Sequence, residues 1–153
     1  MAGKLFKIVT AGVIVTGLGV TLAFASADDA IKGRQGCMKS HGKTIGAFAA
    51  MFKGETPYDA AAVQAGLAAD DAACAGWAKW WGEDAMKGDT AETWAKPEIW
   101  SDPAGFTAAG ENFYAKYTAL KATTDEAGFK AAFPDYGGGC KGCHDKFRRP
   151  KEQ

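Results

Sequence analysis

The chain has 153 residues, and 18 Lys and Arg balance 18 Asp and Glu to a formal net charge of zero. The charges are mixed along the chain as on a solvated surface, with no basic patch to read nucleic acid, so no nucleic-acid partner is expected. Two histidines and four cysteines confine any metal or redox chemistry to a few positions.

Lys4 and Lys7 precede an uncharged apolar run from Ile8 to Leu22, and Ala23-Phe24-Ala25 and Ala25-Ser26-Ala27 are both small-x-small cleavage motifs. This is the pattern of an export signal, and a bacterial periplasm is its natural destination. Cleavage after Ala27 is preferred, so that residues 1–27 are removed and residues 28–153 remain; cleavage after Ala25 is the alternative. An uncleaved membrane anchor competes, but the run is short for a span of ~20 residues and rich in Gly and Thr. No membrane attachment is expected after cleavage. The signal holds two Lys and no acid, so the mature charge is 16 minus 18, or −2. The remaining residues suffice for one core and not for two ordinary domains.

From Asp28 to Lys53, the residues Ile31, Met38, Ile45 and Phe52 recur every seven positions, one apolar stripe of an amphipathic helix. Gly54-Glu55 interrupts it. Thr56-Pro57 predicts a second helix with Thr as cap and Pro at the first helical position, where its missing N–H costs nothing. Val63, Leu67, Cys74, Trp77 and Trp81 share one face of that helix. Residues 82–101 read as a long connection, with Trp94 and Trp100 as packing anchors. The five tryptophans, Trp77, Trp80 and Trp81 included, are expected to pack rather than to form an electron pathway. Asp102-Pro103 repeats the cap-plus-Pro signature, and Phe106, Phe113, Tyr117 and Leu120 supply a third stripe.

Thr123 and Glu126 have capping-box spacing and open a fourth segment. Phe129, Phe133, Tyr136, Cys140, Cys143 and Phe147 then keep a three-four rhythm. Pro134 is expected to break that segment into a short piece ending at Ala132 and a separate final helix, because it removes one hydrogen bond and restricts Phe133. Neither strands nor internal repeats are indicated. The expected fold class is all-α, an antiparallel four-helix bundle whose core can hold a cofactor between facing helices.

The final segment contains Cys140-Lys141-Gly142-Cys143-His144. In this C-x-x-C-H pentapeptide two thiols lie on one helix face, where each can form a thioether with a haem vinyl group. His144 follows, placed to bind the iron axially. A redox dithiol would need a βαβ pattern, and a zinc site would need further Cys or His partners; neither is found. One pentapeptide implies one covalent haem c. Gly137, Gly138 and Gly139 are read either as room beside the porphyrin or as a frayed helix start. The other cysteines, Cys37 and Cys74, are equidistant from the Gly54–Pro57 interruption, so an antiparallel hairpin brings them to one height. A disulfide between them is expected in an oxidising compartment, with two buried free thiols as the alternative.

A C-terminal C-x-x-C-H on the last helix of a bundle, behind an export signal, resembles the class II c-type cytochromes: cytochrome c prime and its low-spin c-556-type relatives. Arg34-Gln35, Pro97-Glu98-Ile99-Trp100 and Cys143-His144-Asp145-Lys146-Phe147-Arg148 carry the resemblance. It implies that Met38, four residues after Arg34, lies over the distal face of the haem, and that Arg148 lies near the proximal haem edge. Periodicity alone reads Met38 as plain core, a role Met fills well. Arg34 could pair a propionate by bidentate hydrogen bonds or sit on the surface. His41 could in principle compete for iron, but a locally bonded or exposed role is expected. The resemblance also implies pairing of two copies through the first two helices, which is common in the family, with a monomer as the alternative.

Two functions follow. One is a periplasmic electron carrier with His144/Met38-ligated low-spin iron that serves redox partner proteins. The other is a five-coordinate, high-spin cytochrome c prime that binds nitric oxide or carbon monoxide. No catalytic constellation is apparent, so enzymatic activity is not expected.

Overall fold

A computed structural model describes residues 26–150, and every regular element among them is helical. These are α1 Ala27–Lys53, α2 Ala60–Ala73, the single turn α3 Glu98–Ser101, α4 Pro103–Lys121 and α5 Glu126–Phe147. Apart from Ser26 and Ala27, the expected signal lies outside the described residues.

α1 starts at a capping box: Ser26 Oγ accepts from Asp29 N, and the Asp29 carboxylate accepts from Ser26 N. It ends at Gly54, whose φ of 76° is the left-handed conformation that lets its N–H return to the last carbonyls. α1 and α2 are antiparallel. As α1 runs from Cys37 through Thr44, its partners run back from Cys74 to Gly66. α4 and α5 form a second antiparallel hairpin, with Phe106 against Phe147 and Phe113 against Tyr136. The expected four-helix bundle is therefore what forms.

The buried row of α1 is not the heptad stripe. Ile31 is buried, but the other buried positions are Ala30, Arg34, Cys37, Thr44 and Phe48, whereas Met38 and Phe52 are exposed. The true row steps by three and four, while a strict spacing of seven drifts around the helix by about 20° per repeat. α2 starts later than Thr56-Pro57 suggests, because Asp59 is the cap, its carboxylate accepting from Ala61 N and Ala62 N. That helix stops at Ala73, and Trp77 and Trp81 belong to the connection, which makes two single turns at Trp77–Lys79 and Glu83–Ala85. Asp102 caps α4 as expected, through Gly105 N. Thr123 does not cap α5. Its hydroxyl donates to Leu120 O at the end of α4, and Asp125 caps α5 through Gly128 N.

Pro134 does not divide α5, which is continuous from Glu126 to Phe147. The proline is on the exposed side, where the Lys130 carbonyl it leaves unpaired can be hydrated. Phe129, Phe133 and Tyr136 on the opposite side are buried in one cluster with Phe48, Val63, Leu67, Tyr117 and Leu120. Burial of those three rings, roughly 1.5–3 kcal/mol each, exceeds the ~3 kcal/mol penalty of proline in a helix. Gly139 is also helical and packs within 3.3 Å of the Phe113 Cα where a Cβ would sit, so its missing side chain serves the α4 contact. The aromatic cluster closes one end of the bundle. The other end is hollow.

The connection is tied across that hollow end. Asp28 accepts from Thr90 and Ala91, Gln35 Nε2 donates to Glu92 O at 2.8 Å, Lys96 N donates to Phe147 O at 3.0 Å and Arg149 N to Trp94 O at 2.7 Å. Trp100 Nε1 donates to Trp81 O and Gly82 O. Trp94 is 40 % exposed, so of the two expected anchors it is the weaker.

Candidate functional site

The hollow end encloses a cavity of about 1190 Å³, above the ~300–1,000 Å³ usual for ligand sites. Its walls are mostly apolar: Ile31, Met38 and Ile45 from α1, Phe106 and Phe113 from α4, Phe147 from α5 and Trp77, Trp81 and Trp94 from the connection. Cys140, Cys143 and His144 open into it, all half-buried on one face of α5. The rhythm that buries Phe133 and Tyr136 thus delivers the pentapeptide to the same interior side.

Cys140 and Cys143 are unpaired cysteines. Burial pushes the Cys140 thiol up to about 11 and raises Cys143 as well. A catalytic dithiol has the opposite signature, a thiol lowered by a nearby positive charge or helix N-terminus. Burial, then the Arg148 charge, lowers His144 below the usual histidine range. Its imidazole is therefore neutral at pH 7, the form that ligates a metal.

Arg34 is 5 % exposed and is not a surface residue. Nη2 donates to Ala85 O at 2.6 Å, and the guanidinium lies 4.6 Å from the Trp81 ring centroid. Its Nε and Nη1, and Trp81 Nε1, are buried without a hydrogen-bond partner within the protein. Arg34 and Trp81 both line the cavity. Unpartnered donors on an apolar wall cost ~1–3 kcal/mol each unless an acceptor comes with the ligand, and a carboxylate is the complement of a guanidinium edge. The donor set fits a flat, largely apolar group that bears carboxylates and is attached through two thiols and an imidazole. Trp81 was expected only to pack, and nothing in its sequence context distinguishes it from the other four tryptophans.

Met38 lines the cavity and is 36 % exposed, because empty space rather than protein faces it. His41 also reaches the cavity wall but is locally bonded. Its Nδ1 lies 3.0 Å from both the Tyr136 hydroxyl and Asp70 Oδ2, and Nε2 lies 3.5 Å from Cys74 Sγ. Asp70, which sequence reading did not single out, is fully enclosed and takes hydrogen bonds from Ser40 at 2.6 Å and Thr44 at 3.1 Å. Arg148 is half-buried at the end of α5 and stacks on Trp94 at 4.9 Å. On the outer side of His144 a smaller cleft of about 270 Å³ is lined by Lys96, Asp145, Arg148 and Arg149. Cys37 and Cys74 form a disulfide between α1 and α2, with Cα atoms 4.8 Å apart.

The family model described as Cytochrome C′ matches residues 29–148. The cytochrome c′ of Rubrivivax gelatinosus is 39% identical over 128 residues, 82% of this chain and 98% of that one. The cytochrome c-556 of Agrobacterium fabrum is 31% identical over 147 residues, 95% of this chain and 97% of its own. Among solved structures, the Rubrivivax gelatinosus cytochrome c′ superposes with a TM-score of 0.74 at 38% identity, over 82% of this chain and 99% of the other. A nitric oxide complex of a leucine-to-isoleucine mutant of cytochrome c prime from Alcaligenes xylosoxidans gives 0.71 at 35% identity, over 83% and 99%.

Proposed function

The chain belongs to the cytochrome c′ family of class II c-type cytochromes, which bind one covalent haem c, and from that premise we propose a periplasmic electron carrier with His144 and Met38 as axial ligands. Cys140 and Cys143 would hold the haem by two thioethers, and Arg34 and Trp81, whose N–H groups are unpartnered, would offer them to its carboxylates. Arg148, beside His144, would add a positive charge there. When bound, the haem supplies an iron that takes up and releases one electron.

The observation that carries this reading is the position of Met38. Of the α1 side chains on the cavity wall, Met38 and His41 carry atoms that ligate haem iron well, and His41 is held by Asp70 and Tyr136. The Met38 thioether has no competing partner, and Met ligation raises the reduction potential. Phe106, Phe113, Phe147 and Trp77 form apolar walls of the cavity and would limit water at the iron.

The second reading is a five-coordinate cytochrome c′ in which Met38 only covers the iron and nitric oxide or carbon monoxide binds beneath it. It is supported by the relatives. Those named cytochrome c′ are 36–39% identical, those named c-556 are 31–32% identical, and several similar structures are nitric oxide complexes. The visible spectrum of the reduced protein separates the two. A sharp split α/β pair supports His144/Met38 ligation; one broad band with rapid carbon monoxide binding overturns it in favour of the gas-binding form.

A further inference from the structure

A separate chemical cluster lies where α1 meets α2. Cys37 and His41 are four residues apart on α1, and Cys74, the residue that caps the end of α2, follows Asp70 by four and returns its N–H to the Asp70 carbonyl, so each pair shares one side. The helices are antiparallel, and the two pairs meet. One ligand atom each from Cys37, His41 and Cys74 lies within 4.8 Å of the others. Cys37 and Asp70 are each 1 % exposed.

The hydrogen bonding of this corner is incomplete while the disulfide is closed. Asp70 Oδ1 is satisfied by Ser40 and Thr44, which leaves Oδ2 facing His41 Nδ1 at 3.0 Å. A neutral imidazole has one N–H. Placed on Nδ1, it satisfies the carboxylate, but Nε2 then faces a disulfide sulfur that has no hydrogen to give. Placed on Nε2, it lets Nδ1 accept from the Tyr136 hydroxyl at 3.0 Å but leaves the enclosed Oδ2 without a donor. A cation on Nε2 removes the conflict. Nδ1–H then donates to Asp70, the carboxylate–histidine–metal arrangement that fixes the tautomer of a ligating histidine.

We propose that reduction of the Cys37–Cys74 disulfide converts this corner into a site for a thiophilic closed-shell metal ion of the zinc class. Cys37 Sγ, Cys74 Sγ and His41 Nε2 are its ligands, and Asp70 positions His41. A dithiol reductant supplies two electrons and two protons: the S–S bond breaks, the reductant closes its own disulfide, and two thiols form. The incoming Zn²⁺ displaces both thiol protons to solvent and is held by two thiolates and a neutral imidazole, a ligand set that cancels its charge. Tetrahedral bonds of about 2.3 Å to sulfur and about 2.0 Å to nitrogen place S and N about 3.5 Å apart, as Cys74 Sγ and His41 Nε2 already are at 3.5 Å. His41 and Cys74 are half-buried and border the cavity, which leaves a fourth position for water. Two thiolates with one imidazole favour zinc or cuprous ion over magnesium or calcium.

The test uses the haem-loaded protein, whose thioether attachments are not disulfides and survive a phosphine reductant. Zinc chloride is titrated into reduced and oxidised samples and followed by native mass spectrometry and calorimetry. One zinc per reduced chain, none per oxidised chain, and two protons released per zinc support the site. Asp70→Asn should weaken zinc by about 10–100-fold, as loss of an orienting carboxylate does elsewhere, and His41→Gln should weaken it further. Equal zinc uptake by oxidised and reduced chains overturns the proposal, and so does undiminished binding in His41→Gln. If reduction unfolds the bundle, zinc but not magnesium should restore its helical circular dichroism; failure to restore it overturns the proposal as well.

Discussion

Met38 stands on the wall of the cavity that the haem would fill, one turn from the buried Arg34, so its truncation tests function and stability together. Met38→Ala should turn a low-spin iron high-spin, lower the reduction potential and accelerate carbon monoxide binding, all read from the spectrum and by flash photolysis. The stability cost should be ~2–5 kcal/mol, as for other large-to-small truncations at a packed site, so folding is checked separately. An unchanged spectrum would make Met38 a packing residue. Arg34 is the contrasting case, charged yet enclosed. Arg34→Lys keeps the charge but loses the planar fork that meets Ala85 O while presenting Nε and Nη1 to the cavity. We expect that variant to retain haem but to have a shifted reduction potential, measured by spectroelectrochemical titration.

The elements were legible in the sequence mainly where a single residue had one possible use. Asp102-Pro103 begins α4 as its chemistry requires. The other caps were misjudged because two candidates stood side by side. Asp59 won over Thr56, and Asp125 over Thr123, in each case a carboxylate over a hydroxyl. Pro134 was misread because a local rule for proline ignores which side of the helix it occupies. Since the rings below it hold α5 straight through the proline, Pro134→Ala should raise stability by about 1–3 kcal/mol without moving the haem spectrum, measured by chemical denaturation. The α1 cap bears on export. A cut after Ala27 would discard Ser26 and its hydrogen bonds with Asp29, at ~1 kcal/mol. A cut after Ala25 keeps them, and the intact mass of the mature protein decides between Asp28 and Ser26 as its first residue. Asp28 beside it is held down to about 2, chiefly by the Thr90 hydroxyl and then by Ala91 N and Thr90 N. A lowered carboxyl contributes stability above its ordinary value near 3.8 and loses that contribution as pH falls toward 2. The melting temperature should therefore drop across that window, and Asp28→Asn should flatten the drop.

At the scale of the molecule, the hollow end depends on two kinds of closure. One is covalent. The Cys37–Cys74 bond spans 37 positions, so in the chain-entropy account it restricts the unfolded chain by about 4 kcal/mol. The Cys37→Ser/Cys74→Ser double variant should lose about that much in urea unfolding while keeping its haem spectrum, and a loss below 1 kcal/mol would mean that packing alone closes the hairpin. The attachment pentapeptide was readable from spacing, since cysteine chemistry is local. Of the wall around it, Met38 and Arg34 were marked in the sequence, but Trp81 and Trp94 were not, because they reach the cavity from a connection that meets the helices only in the folded chain.

The other closure is the short backbone bridge between Ala95 and Arg148, flanked by the bonds from Lys96 to Phe147 and from Arg149 to Trp94. Phe147, Arg148 and Arg149 follow the attachment pentapeptide in the chain, whereas Asp28 and Gln35, which hold the same connection from α1, precede it, so the connection is fastened from both sides of the attachment site. Pairings between such distant positions form late, since closing a long loop costs entropy before any contact repays it. The bridge between Ala95 and Arg148 is therefore expected to close late in folding, which would leave the thiols of Cys140 and Cys143 open to attachment before the connection settles over the cavity.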